Sequence, residues 1–163
     1  MQKLIWYPGD SWGEVSGGLP LFRGFSRPSN NQVIDIQSPS NRLPQNMPLD
    51  VQSRMDDWFF KRFGMRFRES SLFATGDITT AQSYAGDRGQ IRQLKPKDRF
   101  CFCWSPECAD LYNEFEYSGR TESVEALLDR LSFQCDELEE ALLSHNEIML
   151  VCTAVEATLV TGT

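Results

Sequence analysis

Histidine is almost missing from this 163-residue chain, with His145 the only one. Neither a Ser-His-Asp nor a His-Glu-x-x-His arrangement is present, so the hydrolases and metalloproteases built on those motifs lose support. Gly-x-Gly-x-x-Gly and phosphate-loop patterns are also absent, although the chain holds 11 glycines. No apolar run approaches the roughly 18 residues that suggest a membrane span, and mean hydropathy is -0.40. The expectation is a soluble protein without membrane contact. Met1 to Asp10 lacks the longer apolar stretch and small-residue cleavage site of a secretory signal. Cytoplasm is the expected compartment, and delivery into a target cell by a specialised secretion system stays compatible with it.

Five cysteines are an odd number, and Cys101, Cys103, Cys108, Cys135 and Cys152 crowd into the second half. Reduced thiols fit that pattern better than a disulfide framework does. A zinc site built from Cys101, Cys103 and Cys108, with Cys135 or His145 as fourth ligand, lacks the paired Cys-x2-Cys type of spacing. No metal is therefore expected. Strand alternation instead sends Cys101 and Cys103 to one face and Phe102 and Trp104 to the other.

What is present is ordinary globular material: 40% apolar, 12% aromatic, in 18.7 kDa. A chain of this size buries roughly 70% of its unfolded surface, so residues 1–163 are read as one domain with a real core. Net charge is -7, unevenly spread. Ten of the 16 basic residues lie between Arg54 and Arg99, against six acids, whereas Glu107 to Glu147 holds twelve acids and two arginines. This suggests an anion-attracting middle and an acid-rich later face.

Periodicity divides the chain into short elements. Lys3 to Tyr7 reads as a strand, Pro8 to Pro20 as a Gly-rich connection, and Leu19 to Phe25 as a second strand. Ser26 to Pro48 is a Ser/Pro/Asn-rich excursion with Val33 to Ile36 as one short strand, and its length suggests function. Val51, Met55, Trp58, Phe59 and Phe63 fall at helical spacing before Gly64, which predicts a helix over Leu49 to Phe63. Ser71 to Thr75 reads as a strand. A short helix through Ala85 follows, capped by Asp77 or Thr79, with Ala81, Tyr84 and Ala85 on its inner face. Strands are expected at Arg88 to Leu94 and Arg99 to Trp104 around a Lys95-Pro96-Lys97-Asp98 turn. Thr121 to Leu131 and Gln134 to Ser144 look helical, the latter with Cys135, Leu138, Ala141 and Leu142 inward. Glu147 to Val160 returns to strand or a hairpin. Lys61, Arg62, Arg66 and Arg68, interleaved with Phe63 and Phe67, form the one stretch resembling a nucleic-acid platform. Composition and pattern together give an α+β domain.

Three short segments carry the chemistry. Leu21-Phe22-Arg23-Gly24-Phe25 places an always-charged, planar donor fork on a strand, suited to a diphosphate, beside a glycine that allows close backbone approach. Phe73-Ala74-Thr75-Gly76-Asp77 leads into Ala81-Gln82-Ser83-Tyr84-Ala85. His145-Asn146-Glu147-Ile148-Met149-Leu150 opens a late strand on a carboxylate. In this order they resemble the Arg, Ser/Thr, Glu pattern of the cholera-toxin-like branch of the ADP-ribosyltransferases. The poly-ADP-ribose polymerase branch would show His where Arg23 stands. An RNA 2'-phosphotransferase would need further histidines.

The resemblance spans roughly Leu19 to Val160 and implies two packed, mostly antiparallel sheets with peripheral helices and an NAD cleft between the sheets. It implies that Arg23 and Gly24 bind NAD, that Thr75 (or Ser71) orders the ribose, and that Glu147 stabilises the transition state. Tyr84 would pack under the site. Nicotinamide stacking would fall to Phe59, Phe63 or Trp104, and the basic residues Lys61, Arg62, Arg66 and Arg68 would meet either a nucleic-acid acceptor or the NAD phosphates. The family pattern has a second hydroxyl residue where this chain has Asp77. Members that modify arginine carry Gln or Glu two positions before the catalytic Glu, and His145 stands there instead, as a base or an acceptor contact. The implied activity is mono-ADP-ribosyl transfer from NAD to a protein, RNA or DNA acceptor by a bacterial or phage toxin or effector. An antitoxin, immunity protein or chaperone would be a partner. The alternative is a non-catalytic module of the same fold that acts through a protein partner.

Overall fold

The computed structural model describes residues 4–118 and 121–160. Two antiparallel sheets share a core between them, are bridged at one edge and are flanked by helices, so the domain is α+β. The first sheet has the order β1 (Leu21–Phe25), β4 (Gln90–Pro96), β7 (Val155–Leu159), β2 (Val33–Ile36). The second has the order β3 (Leu72–Ala74), β6 (Ile148–Cys152), β5 (Phe100–Trp104). They join where Phe22 and Thr75 exchange backbone hydrogen bonds of 2.7 and 2.9 Å. That bridge sets the end of β3 beside β1, and the site described below opens along this seam.

The chain changes sheet four times, between β2 and β3, β3 and β4, β4 and β5, and β6 and β7. β4 and β5, expected around a turn, do not pair with each other but belong to different sheets. β6 and β7 are likewise separated rather than forming a hairpin. The last two of these crossings lie together: Lys97 N donates to Ala154 O at 2.8 Å and Thr153 Oγ1 to Asp98 Oδ2 at 2.8 Å. All five residues of β5 and all five of β6 are buried, which is why both read as continuous apolar runs.

One face of that three-stranded sheet carries Cys101, Cys103, Met149 and Val151. They pack on α2 (Leu49–Phe63), α3 (Phe67–Ser70), α5 (Leu111–Ser118) and α6 (Val124–Arg130). The other face carries Phe100, Phe102, Trp104, Ile148 and Leu150 against the first sheet, α1 (Trp12–Val15) and α7 (Leu138–Ser144). Alternation along β5 thus sorts its thiols from its aromatic rings as expected. Each fully buried Phe contributes on the order of 1.5–3 kcal/mol, so the ring cluster Phe59, Phe63, Phe67 and Phe133 anchors α2 and α3 firmly.

The predicted α2 has the expected bounds and stops at Gly64, whose φ of 86° allows its N–H to reach Phe60 O. α4 (Ile78–Ala85) is capped by Asp77, which accepts from Thr80 N at 3.1 Å. Two glycines at the seam are there for close packing. A Cβ on Gly24 would overlap Ala81 O of α4, and one on Gly76 would overlap Leu142 O of α7.

Other expectations need correction. The strand Lys3 to Tyr7 begins outside the described residues, and of the rest Tyr7 alone pairs, with Phe100. Pro8 to Pro20 holds a 3-10 turn (Gly9–Ser11) and α1, because Trp12 buries its indole edge-on to Phe100, 5.2 Å between centroids. Gln134 to Glu137 is extended or turn rather than helix: Gln134 exchanges backbone bonds with Trp104, and Trp104 Nε1 donates to Asp136 O at 2.8 Å. Only Leu138 onward is helical. α3 and α5 were not expected at all. Among the described residues no helix is long and apolar enough to cross a membrane.

Candidate functional site

A cleft of about 680 Å³ opens beside the seam, walled by β1, the 42–47 segment, α3, β3, α4 and the start of α5. Phe73, the middle residue of β3, is its organising centre. The Arg42 and Arg68 guanidiniums lie over its ring at 4.1 and 4.2 Å from the centroid, close enough for favourable cation–π contact. Arg23 Nη1 donates to the Phe73 carbonyl at 2.7 Å. Three arginines from three separate segments therefore converge on one residue.

Each is held from behind. Arg42 N donates to Glu69 O at 3.0 Å, and Arg42 O accepts from Gln52 Nε2 at 2.9 Å, which fixes the long 26–48 excursion to α2 and α3. Arg68 sits on α3, and its amide donates to Asp56 Oδ1 of α2 at 2.8 Å. Asp56 is 1% exposed, and that burial pushes its carboxyl up to about 6 despite the Arg68 amide and the nearby Arg66 and Arg68 charges. Arg68 Nη1 donates to Glu147 Oε1 at 2.7 Å, with the two side chains 7% and 9% exposed. Glu147 immediately precedes β6, and its amide is fixed by Ala109 O at 2.9 Å.

Charge in the cleft is unbalanced. Arg23, Arg27, Arg42 and Arg68 line it against Asp110 and Glu147, an excess of two positive charges in a chain whose net charge is -7. Burial lowers the Arg23 pKa. Burial, then the Arg23 and Arg68 charges, lower that of Arg42 to about 10, with Glu147 opposing. Arg23 Nε, Arg42 Nη1 and Arg68 Nε are buried without a hydrogen-bond partner. An unpaired buried donor costs about 1–3 kcal/mol, more when charged. Such a cluster is suited to a polyvalent anion, whose oxygens match the planar donor forks.

Of the residues singled out in sequence, Arg23, Gly24, Tyr84 and Glu147 all line this cleft. Gly24 is required by the approach of α4, so its lack of a side chain has a packing cause. Tyr84 is 41% exposed rather than on the inner face of α4 with Ala81 and Ala85. Its hydroxyl donates to Asp110 Oδ2 at 3.0 Å. Burial, then the Glu147 and Asp110 charges, raise its pKa, so it stays a neutral donor.

Thr75 and His145 lie elsewhere. Thr75 has no exposed surface; its Oγ1 donates to His145 O at 3.1 Å and accepts from Asp77 N at 3.2 Å. It cannot touch a ribose, and it acts instead on the backbone two residues before Glu147. Ser71 is equally buried, its hydroxyl unpaired. The His145 side chain is 60% exposed, with Nδ1 4.0 Å from Asp77 Oδ1, and is not part of the cleft wall. The rings expected to stack on a nicotinamide, Phe59, Phe63 and Trp104, are all core residues. Phe25, Phe73, Tyr84 and Tyr112 are the rings on the wall.

The basic stretch 61–68 does not present its arginines and aromatic rings on one exposed face, since Phe63 and Phe67 are core, Arg66 pairs with Asp57 and Glu69, and Arg68 turns into the cleft. Arg42, Phe73, Asp110 and Tyr112 were not foreseen as site residues. The length of the 26–48 excursion was the sole signal for Arg42, and Arg68 stood in a basic stretch expected to face either a nucleic-acid acceptor or the NAD phosphates. Burial raises the pKa of Cys101, Cys103 and Cys108, which keeps these thiols protonated and unreactive. Among the described residues no group of three or more His, Cys, Asp or Glu is placed to hold a metal ion.

Comparison with models of protein families, with curated proteins and with solved structures found no match to this chain.

Proposed function

We propose that the chain is a mono-ADP-ribosyltransferase of the Arg, Ser/Thr, Glu type, with NAD as donor and a macromolecule, protein or nucleic acid, as acceptor. One observation carries the reading: Arg23 and Glu147, far apart in sequence, line a single cleft with Arg42 and Arg68, and each of the three arginines keeps a buried nitrogen without a hydrogen-bond partner. The unpaired buried donors fit the diphosphate of NAD. The bond between C1' of the ribose and the nicotinamide nitrogen breaks with its electron pair leaving on nicotinamide, and an acceptor nucleophile bonds C1' and releases its proton.

Arg23, Arg42 and Arg68 hold the phosphates, and the excess of two positive charges favours the donor over neutral nucleosides. Glu147 meets the positive charge that develops on the ribose, an interaction whose loss typically costs ~3–4 kcal/mol of barrier. Tyr84 presents its ring at the mouth, its hydroxyl tied to Asp110. Thr75 contributes by pinning the backbone that leads into Glu147. His145 stands apart from the cleft, and Gln or Glu is absent from its position, so an arginine side chain is the least favoured acceptor. A toxin or effector role, restrained by an antitoxin, immunity protein or chaperone on the acid-rich face, follows from the same resemblance.

The non-catalytic alternative has one observation in its favour. Glu147 is closed into an ion pair with Arg68, both side chains less than a tenth exposed. The two readings separate when purified protein and its Glu147→Gln variant are incubated with labelled NAD and cell lysate. Label in a protein or nucleic-acid fraction with wild type alone is the expected result. Folded, NAD-binding protein that labels neither fraction supports the binding module.

A further inference from the structure

Glu147 pairs with Arg68, the buried member of a cluster whose other two guanidiniums, Arg23 and Arg42, are half-buried, and Arg68 is also the residue best placed to receive an anion. Arg68 Nη1 is engaged with Glu147 at 2.7 Å while its Nε, like Arg23 Nε and Arg42 Nη1, has no partner. Arg42 and Arg68 share one aromatic ring, so their charges repel at short range. A single carboxylate leaves that repulsion largely in place. A diphosphate brings several oxygens and at least two negative charges, enough to bridge the guanidiniums. It would compete with Glu147 for Arg68 and repel the Glu147 carboxylate at the same time.

We propose that the Arg23, Arg42 and Arg68 subsite takes a diphosphate, and that Arg68 is a positioning residue that passes from Glu147 to that diphosphate, freeing the carboxylate only when the cleft is filled. Anion binding stands independently of the transferase reading; the use made of the freed Glu147 rests on it. With the cleft empty, Glu147 is locked and shielded. With it filled, the carboxylate turns to the ligand.

A double-substitution cycle read by calorimetric titration with inorganic pyrophosphate tests this without turnover. Wild type, Glu147→Gln, Arg68→Gln and the double variant are titrated after thermal melts confirm folding. Removing Glu147 should tighten pyrophosphate about tenfold while Arg68 is present, and by about twofold or less once Arg68 is gone, since coupled contacting residues deviate from additivity by this order. Equal gains in both backgrounds would overturn the hand-over, as would a wild type and Glu147→Gln that bind no pyrophosphate. If Arg68→Gln does not fold, Arg68→Lys replaces it under the same criterion, because an ammonium lacks the fork that serves two anions. ADP then replaces pyrophosphate: coupling with both identifies a nucleoside diphosphate as ligand, and coupling with pyrophosphate alone a free diphosphate. A protein that shows the coupling but never consumes NAD would remove the transferase reading and leave the gate standing.

Discussion

Thr75 donates its hydroxyl to the His145 carbonyl and accepts from the Asp77 amide at zero exposure. Thr75→Val keeps the volume and leaves both backbone groups unpaired, so urea unfolding should show a loss of about 1–3 kcal/mol. In the proposed enzyme, kcat should fall with KM for NAD little changed, because the binding arginines are untouched, and Thr75→Ser should restore both. A Val variant with wild-type stability and kcat would contradict this role. That Arg23 and Glu147 share one cleft was legible, because short flanking motifs mark them. What Thr75 touches was not, since the burial of its hydroxyl depends on the Phe22–Thr75 bridge between sheets. Arg42 carries no local mark, and the mark on Arg68, a basic stretch, does not say which way it turns; a guanidinium's direction is set by what it packs on, here Phe73.

At the scale of elements, α2 was readable to the residue because five apolar positions repeat at helical spacing and Gly64 ends them. α3 is four residues long, too short for periodicity, and exists because Phe67 enters the core and Asp56 accepts its second amide. The strand bounds of β4 and β5 were close to those expected, but not their partners: the residues between them cross from one sheet to the other, which no local pattern encodes. Gly24→Ala tests the packing of α4 on β1. Its Cβ would overlap the Ala81 carbonyl, so the variant should lose several kcal/mol, of the order seen for overpacked cores, with a correspondingly lower Tm. An unchanged Tm would mean that α4 moves freely.

The α2–α3 junction has a pH signature. Asp56 has a carboxyl near 6 when folded and about 3.9 when unfolded. Between those values the folded state holds the extra proton, so this residue makes stability rise as pH falls from 7 toward 4, by ~3 kcal/mol at most. Asp56→Asn keeps an acceptor for the Arg68 amide and removes the charge. Denaturation across this range should find the variant at least as stable as wild type near pH 7.5 and without that rise. A variant much less stable at pH 7.5 would show that the charge itself holds α3.

Over the whole molecule, an acidic chain surrounds a positively charged cleft at the junction of two sheets. Attraction for an anionic donor should be local and screened: raising ionic strength from about 0.01 to 0.15 M shortens the Debye length from about 30 to 8 Å, and KM for NAD should climb several-fold while kcat holds. Indifference to salt would place the binding energy elsewhere. Two antiparallel sheets with helices around them were expected from the resemblance and are present; how they join was not readable, because the bridge between them is one pair of residues, Phe22 and Thr75. The most direct test of the account is nicotinamide release from NAD, followed by proton NMR with purified wild type and Glu147→Gln, alongside NAD binding by calorimetry. The account predicts that both proteins bind NAD and that release falls by two to three decades in the variant. Release at equal rates from both, or no binding of NAD to either folded protein, would contradict it.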